Sequence, residues 1–520
     1  MVAIMSKHWD TIVIGAGVGG LSAAAHLVNA GQRVLVLEKN PHPGGTAYVY
    51  ARKGFTFPMG PLGFSSLGVV SGALSDLRQN DDLNFFRVHY QLRAFDLAVS
   101  LSAPFDHMQK KLLAIFPDDA EGIRRFFQDM ANIISGIRSP TQTQSGLTAE
   151  EALRISASGY VTSLIRDWRL RRILGSIGTR EPYSSIPLLA AMWNLMCNEG
   201  IWYPKGGMAS FCNRLVRAVT RSALHTEALA KIRLRVPVKQ IRVKDGRALG
   251  VILGDGEIIE AKNVISNADY KATFLKLLEP DSIPERWYHA VVRAKQTGSI
   301  LQVCLGVEKS KADLSAFSQA SRLIYRRGEG LLDNIEEVDW SAGEVDPQVL
   351  SGQELEISLL SREDPMLAPP NGCVVVIRTE ADHAHFMKYR SAAGGRIPSY
   401  KEYKTRLAKA LIHETSYVLP GIEQGVQVMD VATPLTFEDQ GGRSQGAVAG
   451  WSWDYEDNRD YRPLELMRTP IRGLYMVGYQ AYSALFMGGI PTAIQSGQQV
   501  AELVLKGAGP SNEVRIPVSG

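Results

Sequence analysis

The apolar and polar positions near residue 10 follow two periods, which predict a strand, a helix and a second strand. The apolar run 11–14 has the length of a buried strand, and a glycine-rich turn follows at 15–20. Apolar residues then recur at helical spacing, at Leu21, Ala24, Ala25, Leu27 and Val28. The run 34–37 has the composition of a second strand and ends at Glu38. The pattern therefore predicts a βαβ unit.

The turn of this unit contains glycines at the spacing GxGxxG, namely Gly15, Gly17 and Gly20. The first permits a tight turn, the second lets the backbone approach a pyrophosphate, and the third lets the helix pack close to the sheet. The helix N-terminus presents N–H groups and a positive dipole end to the phosphates. Glu38 stands about 20 residues further on, where a carboxylate accepts hydrogen bonds from a ribose. Together these features predict a dinucleotide site.

The remaining pattern divides the chain into helix-rich and strand-rich segments. Helical spacing dominates from 70 to 225, and strands separated by Asp-Gly turns follow from 232 to 267, beginning with one strand over 232–243. Alternating strands between 296 and 465 predict an antiparallel sheet with helices on one side. A last strand and helix lie between 473 and 505.

This order predicts an α/β fold with two intimately linked domains. One is a discontinuous Rossmann-like cofactor domain, which we expect at 1–70, 225–285 and 470–506. The other is an α+β substrate domain with a helical lid region, which we expect at 71–224 and 286–469, with a tail at 507–520.

Composition narrows the classes of function. The chain has 57 Lys and Arg against 53 Asp and Glu, a formal net charge of +4, which is too small an excess to indicate nucleic-acid binding. The four cysteines are scattered without a CxxC pair, so we expect neither a disulfide framework nor a metal site. No run reaches the roughly 18 apolar residues of a membrane span. We therefore expect a cytoplasmic protein, of an oligomeric state that the sequence leaves open.

One segment suggests a peripheral membrane contact. Between 161 and 174, arginines are interspersed with apolar residues, and the set comprises Arg166, Arg169, Arg171, Arg172, Leu164, Ile165, Trp168, Leu170, Ile173 and Leu174. A basic amphipathic helix of this kind lies in a membrane interface. The same spacing equally suits a helix that is buried on one side. Both interpretations stay open.

Further motifs follow the fingerprint in a fixed order along the chain. They are Gly44-Gly45, 54–57 before Gly60-Pro61, 202–208, 264–269, 433–436, 473–475 and 488–491. In this order they resemble the FAD-dependent amine oxidase and phytoene desaturase superfamily over nearly the whole chain. Within it, the sequence is most similar to carotenoid desaturases of the bacterial type, carotenoid isomerases and retinol saturases.

The resemblance implies FAD as the tightly held cofactor. The glycines of the turn would hold its pyrophosphate, and these are Gly15, Gly17, Gly19 and Gly20. Glu38 would bind the adenosine ribose, and the backbone of Val238 would meet the adenine. Gly44 and Gly45 would lie along the pyrophosphate and the ribityl chain.

The resemblance also places the flavin end of the cofactor. Gly478 and the turn Gly489-Ile490-Pro491 would lie near the ribityl chain and the isoalloxazine ring. The other FAD contacts that it implies are Lys39, Thr46, Gly60 and Tyr479. Two of these depart from the family pattern, since the family usually has arginine at position 46 and an acidic residue at position 479.

The implied reaction is desaturation, saturation or cis/trans isomerisation of carbon–carbon bonds in a polyene or isoprenoid lipid. Such a hydrophobic substrate needs an apolar slot, whose expected lining is Phe57, Met59, Trp202, Tyr203, Phe486 and Met487. Each of these also fits an ordinary core position. No catalytic side chain is assigned, and Glu181 is a weak candidate as proton donor or cation stabiliser, against a salt bridge at a helix end.

Two alternatives remain at this level. An amine oxidase commonly places an aromatic pair before the flavin, a role that Tyr479 and Tyr482 suit. A lipid-binding escort similar to the Rab GDP-dissociation inhibitors would use the same fold without flavin. The intact phosphate fingerprint favours an enzyme, whereas Tyr479 favours the escort.

Overall fold

A computed structural model describes residues 9–79, 83–94, 97–138, 152, 155–176, 185–225, 230–327, 338–341, 343–452, 466–482 and 489–511. Its strands are β1 (Trp9–Ile14), β2 (Val34–Leu37), β3 (Val49–Arg52), β4 (Phe55–Pro58), β5 (Phe85–Val88), β6 (Tyr90–Ala94), β7 (Leu97–Ser100), β8 (Ile201–Pro204), β9 (Ala230–Arg233), β10 (Val238–Lys244), β11 (Arg247–Leu253), β12 (Ile258–Ser266), β13 (Ser299–Glu308), β14 (Arg322–Arg326), β15 (Leu355–Leu359), β16 (Gly372–Ala381), β17 (Val426–Ala432) and β18 (Leu474–Met476).

The helices connect these strands and cover the sheets. They are α1 (Val18–Asn29), α2 (Leu67–Asp76), α3 (Phe105–Ile115), α4 (Ala120–Arg138), α5 (Ala157–Leu164), α6 (Trp168–Ser176), α7 (Ile186–Asn194), α8 (Gly207–His225), α9 (Tyr270–Ala272), α10 (Glu285–Arg293), α11 (His383–Met387), α12 (Ser399–Ser416), α13 (Ile422–Gly425), α14 (Pro434–Asp439) and α15 (Gly489–Leu505).

The first sheet contains the predicted βαβ unit. Its strand order is β10-β11-β12-β1-β2-β9, and β18 pairs with β12. Strand β1 lies parallel to β2 and β12, and β18 also runs parallel to β12. Ile12 and Val13 are fully buried, as expected for a parallel sheet that is covered on both faces. The α/β fold class is thereby confirmed.

The first and last described helices pack against each other. The Ser22 hydroxyl of α1 donates a hydrogen bond to the Ile494 carbonyl of α15 (2.8 Å). Gly497 faces the same serine, and a Cβ added there would lie 2.4 Å from the Ser22 Cβ. The small residues therefore let the two helix backbones approach closely, and this contact joins chain segments that are far apart in sequence.

The second sheet has the order β17-β13-β16-β15-β14-β6-β7. Its pairs are antiparallel except for β14 with β6, in agreement with the antiparallel sheet predicted from 296–465. One face packs on helix α12, where Leu301, Val303, Leu407 and Leu411 belong to one buried cluster. The strands β6 and β7 join this sheet from the helix-rich part of the chain, which the sequence pattern did not predict.

The hairpin β3–β4 covers the other face of the second sheet. Phe55 lies against Gly306 and Gly372, where added Cβ atoms would come 2.6 and 2.7 Å from its ring. Beyond the hairpin, the Gln302 amide donates to the Pro58 carbonyl (3.1 Å), and the Arg378 guanidinium donates to the Gly60 carbonyl. These contacts fix the loop after β4 to the second sheet.

The segment 161–174 forms parts of two helices rather than one. The Asp119 carboxylate accepts hydrogen bonds from the N–H groups of Arg166 (2.7 Å) and Asp167 (3.0 Å), and the chain turns there between α5 and α6. Of the apolar residues of the segment, Ile165, Leu170, Ile173 and Leu174 are buried in the core, and Leu164 and Trp168 pack against it partly buried. This segment therefore matches the buried alternative, since it lacks the exposed apolar face of an interfacial helix.

Two further expectations have structural outcomes. The strand predicted over 232–243 is two strands, β9 and β10, because Arg235 adopts a positive φ of 59° between them. Among the residues described, no helix is long and apolar enough to cross a membrane. The domain boundaries themselves stay a prediction.

Candidate cofactor site

The glycine turn lies between β1 and α1, at the carboxyl end of the parallel strands. Gly15 has a φ of 95°, which favours glycine, and a Cβ at Gly20 would lie 2.2 Å from the Gly15 carbonyl oxygen. The start of α1 therefore packs against the Gly15 carbonyl so closely that a side chain at position 20 would not fit. The first N–H groups of α1, from Val18 onward, have no partner within the helix, and Val18 and Gly19 line the cleft described below.

Glu38 ties the end of β2 to this turn. Its side chain is buried, Oε2 accepts a hydrogen bond from the Ala16 N–H, and Oε1 accepts one from the Asn40 N–H, both at 2.8 Å. A carboxylate oxygen has more than one acceptor site, so both oxygens retain capacity for a ribose hydroxyl. Lys39, the next residue, extends over the surface to the Asp439 carbonyl (3.3 Å).

The loop Gly44-Gly45-Thr46 approaches the turn from the other side. The Gly44 N–H donates to the Ala16 carbonyl (2.8 Å), and a Cβ at Gly45 would lie 3.2 Å from the Gly17 Cα. Both glycines of the pair have positive φ values, of 107° and 57°. The loop is therefore built for close backbone approach, as its glycine pair predicts.

The third wall of the cleft comes from the last strand and helix. Gly478 follows β18 with a φ of 108°, and its N–H donates to the Ser496 hydroxyl of α15 (2.9 Å). Gly478 and Tyr479 line the same cleft as Gly17, Gly44 and Thr46, together with Gly489 and Ile490 at the start of α15. Three distant segments of the chain therefore meet around one opening.

The chain that leaves β12 adds residues that the site prediction missed. The Asn267 side chain fits among glycines, since Cβ atoms added at Gly17, Gly19 and Gly478 would lie 2.6, 2.8 and 3.0 Å from its amide. Asn267 and Asp269 both line the cleft. The sequence signal that could have found them is the motif 264–269, which contains both residues and which the parallel pairing of β12 with β1 brings to the carboxyl edge of the sheet.

Asp269 holds a second loop at the cleft. Its carboxylate oxygens accept hydrogen bonds from the Ser444 hydroxyl (2.5 Å) and N–H (3.2 Å), and from the Ala272 N–H (3.0 Å) and the Gln296 amide (3.2 Å). The loop that precedes Ser444 contains Arg443, which the sequence analysis did not single out.

Arg443 joins the two positions that depart from the family pattern. Its Nη2 donates to the Thr46 hydroxyl (2.8 Å), and its Cζ lies 4.7 Å from the centre of the Tyr479 ring. Burial raises the pKa of the Tyr479 hydroxyl to about 12, although the guanidinium charge opposes that rise. The hydroxyl oxygen is out of contact with solvent and has no hydrogen-bond partner among the described residues.

The structure brings most, but not all, of the predicted FAD contacts together. Val238 starts β10, pairs with Leu253 and is absent from the cleft lining, whereas the Val236 N–H donates to the Glu38 carbonyl (2.8 Å). Gly60 lies beside the cleft, because a Cβ there would come 2.7 Å from the Thr46 carbonyl oxygen. Pro491 is buried in α15. Whether these residues contact FAD stays a prediction.

The predicted apolar lining is scattered in the described structure. Phe57 is fully buried beside Phe55, with ring centres 6.4 Å apart, and Met59 is also buried. Trp202 and Tyr203 lie on β8, where the Trp202 indole N–H donates to the Glu199 carbonyl (3.1 Å). None of these four lines the cleft described above. Glu181, Phe486 and Met487 lie outside the described residues.

The cleft has the chemistry of a dinucleotide site. Glycine backbone and a helix N-terminus line one side, which suits phosphates. Tyr479, whose buried hydroxyl has no partner among the described residues, and Arg443, whose guanidinium is a hydrogen-bond donor, both belong to the lining. The fold and this cleft define a dinucleotide-dependent enzyme.

Comparison with known proteins identifies the family. The family model for flavin containing amine oxidoreductases matches residues 18–372, and the chain belongs to this family. It is 27% identical over 508 residues to prolycopene isomerase 1 of an Oncidium hybrid cultivar, covering 91% of this chain and 80% of the relative. It is 25% identical to the lycopene-forming phytoene desaturase of Pseudescherichia vulneris, covering 95% and 99%.

A solved structure supports the same fold. An oxidoreductase from Methanosarcina mazei matches with a TM-score of 0.63 at 18% identity, covering 95% of this chain and 99% of that one. The protein is therefore an FAD-dependent oxidoreductase, and the resemblance to the phytoene desaturase, carotenoid isomerase and retinol saturase group is confirmed. The comparisons therefore favour a flavoenzyme over a flavin-free escort.

Proposed function

We propose that this enzyme desaturates, saturates or isomerises carbon–carbon bonds of a polyene or isoprenoid lipid. The observation that carries the proposal is the similarity over more than nine tenths of the chain to proteins named prolycopene isomerase and phytoene desaturase. When bound, FAD supplies hydride transfer at N5 of its isoalloxazine ring. The protein then has to bind the cofactor, orient it and keep water away.

The side chains at the cleft suit a reaction that the flavin itself performs. Asp269 is engaged by the donors of Ser444, Ala272 and Gln296, and burial keeps the Tyr479 hydroxyl neutral. Among the described lining residues, Arg443 is the other charged group, and arginine does not act as a base at neutral pH. The described lining thus provides binding groups rather than an acid–base pair.

The amine oxidase alternative is less favoured. It needs two aromatic rings that face the substrate in front of the flavin, and Tyr479 and Tyr482 were the candidates. One face of the Tyr479 ring is covered by the Arg443 guanidinium, whose positive charge would also repel a protonated amine. Tyr482 packs against the main hydrophobic core.

The visible spectrum of the purified protein tests the proposal. We expect flavin absorption bands in the FAD-loaded enzyme, and anaerobic titration with linear carotenes should bleach or perturb these bands while the conjugation length or geometry of the carotene changes. Amines serve as the control substrate. Peroxide release with amines, together with no response to any polyene, would contradict the proposal and favour the amine oxidase alternative.

A lipid substrate also implies a peripheral membrane contact, which we propose as part of this function. The apolar residues of helices α5 and α6 are mostly buried, which favours another surface for this contact. Co-sedimentation with liposomes should be unchanged by the paired substitutions Trp168→Ser and Arg171→Glu. An absence of any binding to liposomes, for the wild-type protein as well, would contradict the contact.

A further inference from the structure

Arg443 is held in place by its own loop. Its Nη1 donates to the carbonyls of Ala447 (3.0 Å) and Val448 (2.6 Å), and Ser444 anchors the loop to Asp269. These hydrogen bonds already restrict the side chain, so the guanidinium loses little further conformational freedom when it binds a ligand. Arg443 is therefore oriented before any cofactor arrives.

The charge of Arg443 lacks a counter-ion in the described part of the chain. The acceptors of its hydrogen bonds are two backbone carbonyls and the Thr46 hydroxyl, and all are neutral. Its remaining neighbour is the Tyr479 ring, which attracts a cation without neutralising it. Asp269, the other charged residue of the lining, is occupied by neutral donors. Partly buried charge of this kind favours a ligand that brings a negative charge.

The position of Thr46 indicates which part of the ligand carries that charge. Thr46 directly follows Gly44 and Gly45, and Gly45 lies against Gly17 in the turn at the N-terminus of α1. The turn and the helix N-terminus are suited to phosphate groups. The Arg443 guanidinium, which donates a hydrogen bond to the Thr46 hydroxyl, therefore lies on the phosphate side of the cleft.

We propose that Arg443 is a cofactor-binding residue, whose guanidinium pairs with the diphosphate of FAD and is oriented by Thr46 and Tyr479. It supplies from a distant loop the cation that is missing at position 46. The pairing is charge-assisted, and after the bonds to Ala447, Val448 and Thr46 the guanidinium keeps one N–H on Nε and one on Nη2 for phosphate oxygens. This role does not depend on which carbon–carbon reaction the enzyme performs.

Ligand affinity of the full chain, freed of flavin, tests the proposal. FAD and ADP-ribose are titrated separately, since ADP-ribose has the same diphosphate and no flavin ring. We expect Arg443→Met to raise the Kd of both ligands by about 10- to 100-fold, and Arg443→Lys to raise it less. The control is Arg406→Met, which removes a half-exposed arginine paired with Glu344 and should change neither Kd by more than about twofold.

Three results would overturn the proposal. The first is an unchanged FAD affinity in a folded Arg443→Met variant, and the second is a weaker affinity for FAD with an unchanged affinity for ADP-ribose, which would assign the charge to the flavin ring. If Arg443→Met does not fold, Thr46→Val decides, because it removes an acceptor of the guanidinium and leaves the loop intact. We expect a rise of about 3- to 10-fold in both Kd values, and no change would be the third contrary result.

Discussion

Two neighbouring parts of the cofactor cleft are built in different ways. The fingerprint side consists of β1, the turn 15–20 and Glu38, and its contacts join backbone groups within about 30 residues of sequence to one another and to the Glu38 carboxylate. The arginine side consists of Thr46, Arg443 and Tyr479, whose contacts are made by side chains, and one of its hydrogen bonds joins residues 397 apart. The geometry of the fingerprint side depends on residues that are close in sequence. The geometry of the arginine side depends on the fold that brings distant residues together.

The largest expected effect is on the fingerprint side. Gly20→Ala would place a Cβ 2.2 Å from the Gly15 carbonyl oxygen, which is backbone and has no room to move. We expect the free energy of unfolding to fall by about 3 kcal/mol and FAD to be lost. Urea denaturation measures the first effect and the flavin absorption of the purified protein the second.

Gly72→Ala is the matched control for that substitution. Gly72 lies inside α2 and has nothing within 4 Å of an added Cβ, so alanine should stabilise the protein by about 0.5–1 kcal/mol through helix propensity. Equal behaviour of the two variants would contradict the tight contact assigned to Gly20.

A smaller effect is expected from Glu38→Gln, again on the fingerprint side. The carboxylate accepts from two backbone N–H groups, and a glutamine amide would turn an NH₂ donor toward one of them. The stability of the flavin-free protein should fall by about 1–3 kcal/mol, measured by thermal unfolding. Glu257→Gln, at an exposed salt bridge with Arg233, should stay within about 0.5 kcal/mol of wild type.

Tyr479→Phe separates ligand binding from stability on the arginine side. The hydroxyl has no partner among the described residues, so its loss should leave the unfolding free energy of the flavin-free protein unchanged or slightly higher. If the hydroxyl donates to the cofactor, the Kd of FAD should rise by about 3- to 10-fold. Loss of stability without any change in Kd would show that the hydroxyl serves the fold instead.

The smallest effect concerns pH and the helix that precedes the Arg443 loop. Burial raises the pKa of Glu438 and Asp439, but hydrogen bonds from His383, Arg390 and Arg396 outweigh it, and both pKa values lie below their usual range. Carboxyls with a lowered pKa in the folded state stabilise it above their unfolded values and lose that contribution as the pH falls. The contribution is below about 1 kcal/mol, since both side chains are partly exposed.

Urea denaturation at pH 7 and at about pH 4 measures this contribution, because unfolded carboxyls titrate near the lower value. Arg390→Met is the comparison variant, and it should flatten the acid dependence. A dependence on pH identical to that of the wild type would contradict the assignment.

The sequence pattern predicted correctly the elements that depend on residues close together along the chain. The βαβ unit follows from the apolar periods around Gly15–Gly20, and Glu38 ends its strand as the spacing predicts. The strand predicted over 232–243 failed in its bounds because Arg235 has a positive φ, which a pattern of apolar residues does not encode. The helix predicted over 161–174 is interrupted because Asp119, more than 40 residues earlier, accepts the N–H groups of the break.

The contacts of Arg443 with Thr46 and Tyr479 could not be predicted from the sequence around any of the three residues. Thr46 and Tyr479 each stood out as departures from the family pattern, and nothing near either one indicated a compensating group. Arg443 follows two glycines in a loop whose position is set by Asp269, so the cation becomes visible only once β12 and α14 are placed together. When two positions of a cofactor site both depart from the family pattern, a third residue that contacts both is worth looking for.

The contact between α1 and α15 has a consequence for biosynthesis. The fingerprint emerges from the ribosome early, but the helix that covers it and the strand that completes its sheet are translated after residue 470. During elongation the nascent chain therefore exposes an unfinished apolar surface for most of its length, which is when chaperones act on such chains. We therefore expect a chain that stops before residue 489 to lack bound flavin, because it lacks the part of the cleft that α15 lines.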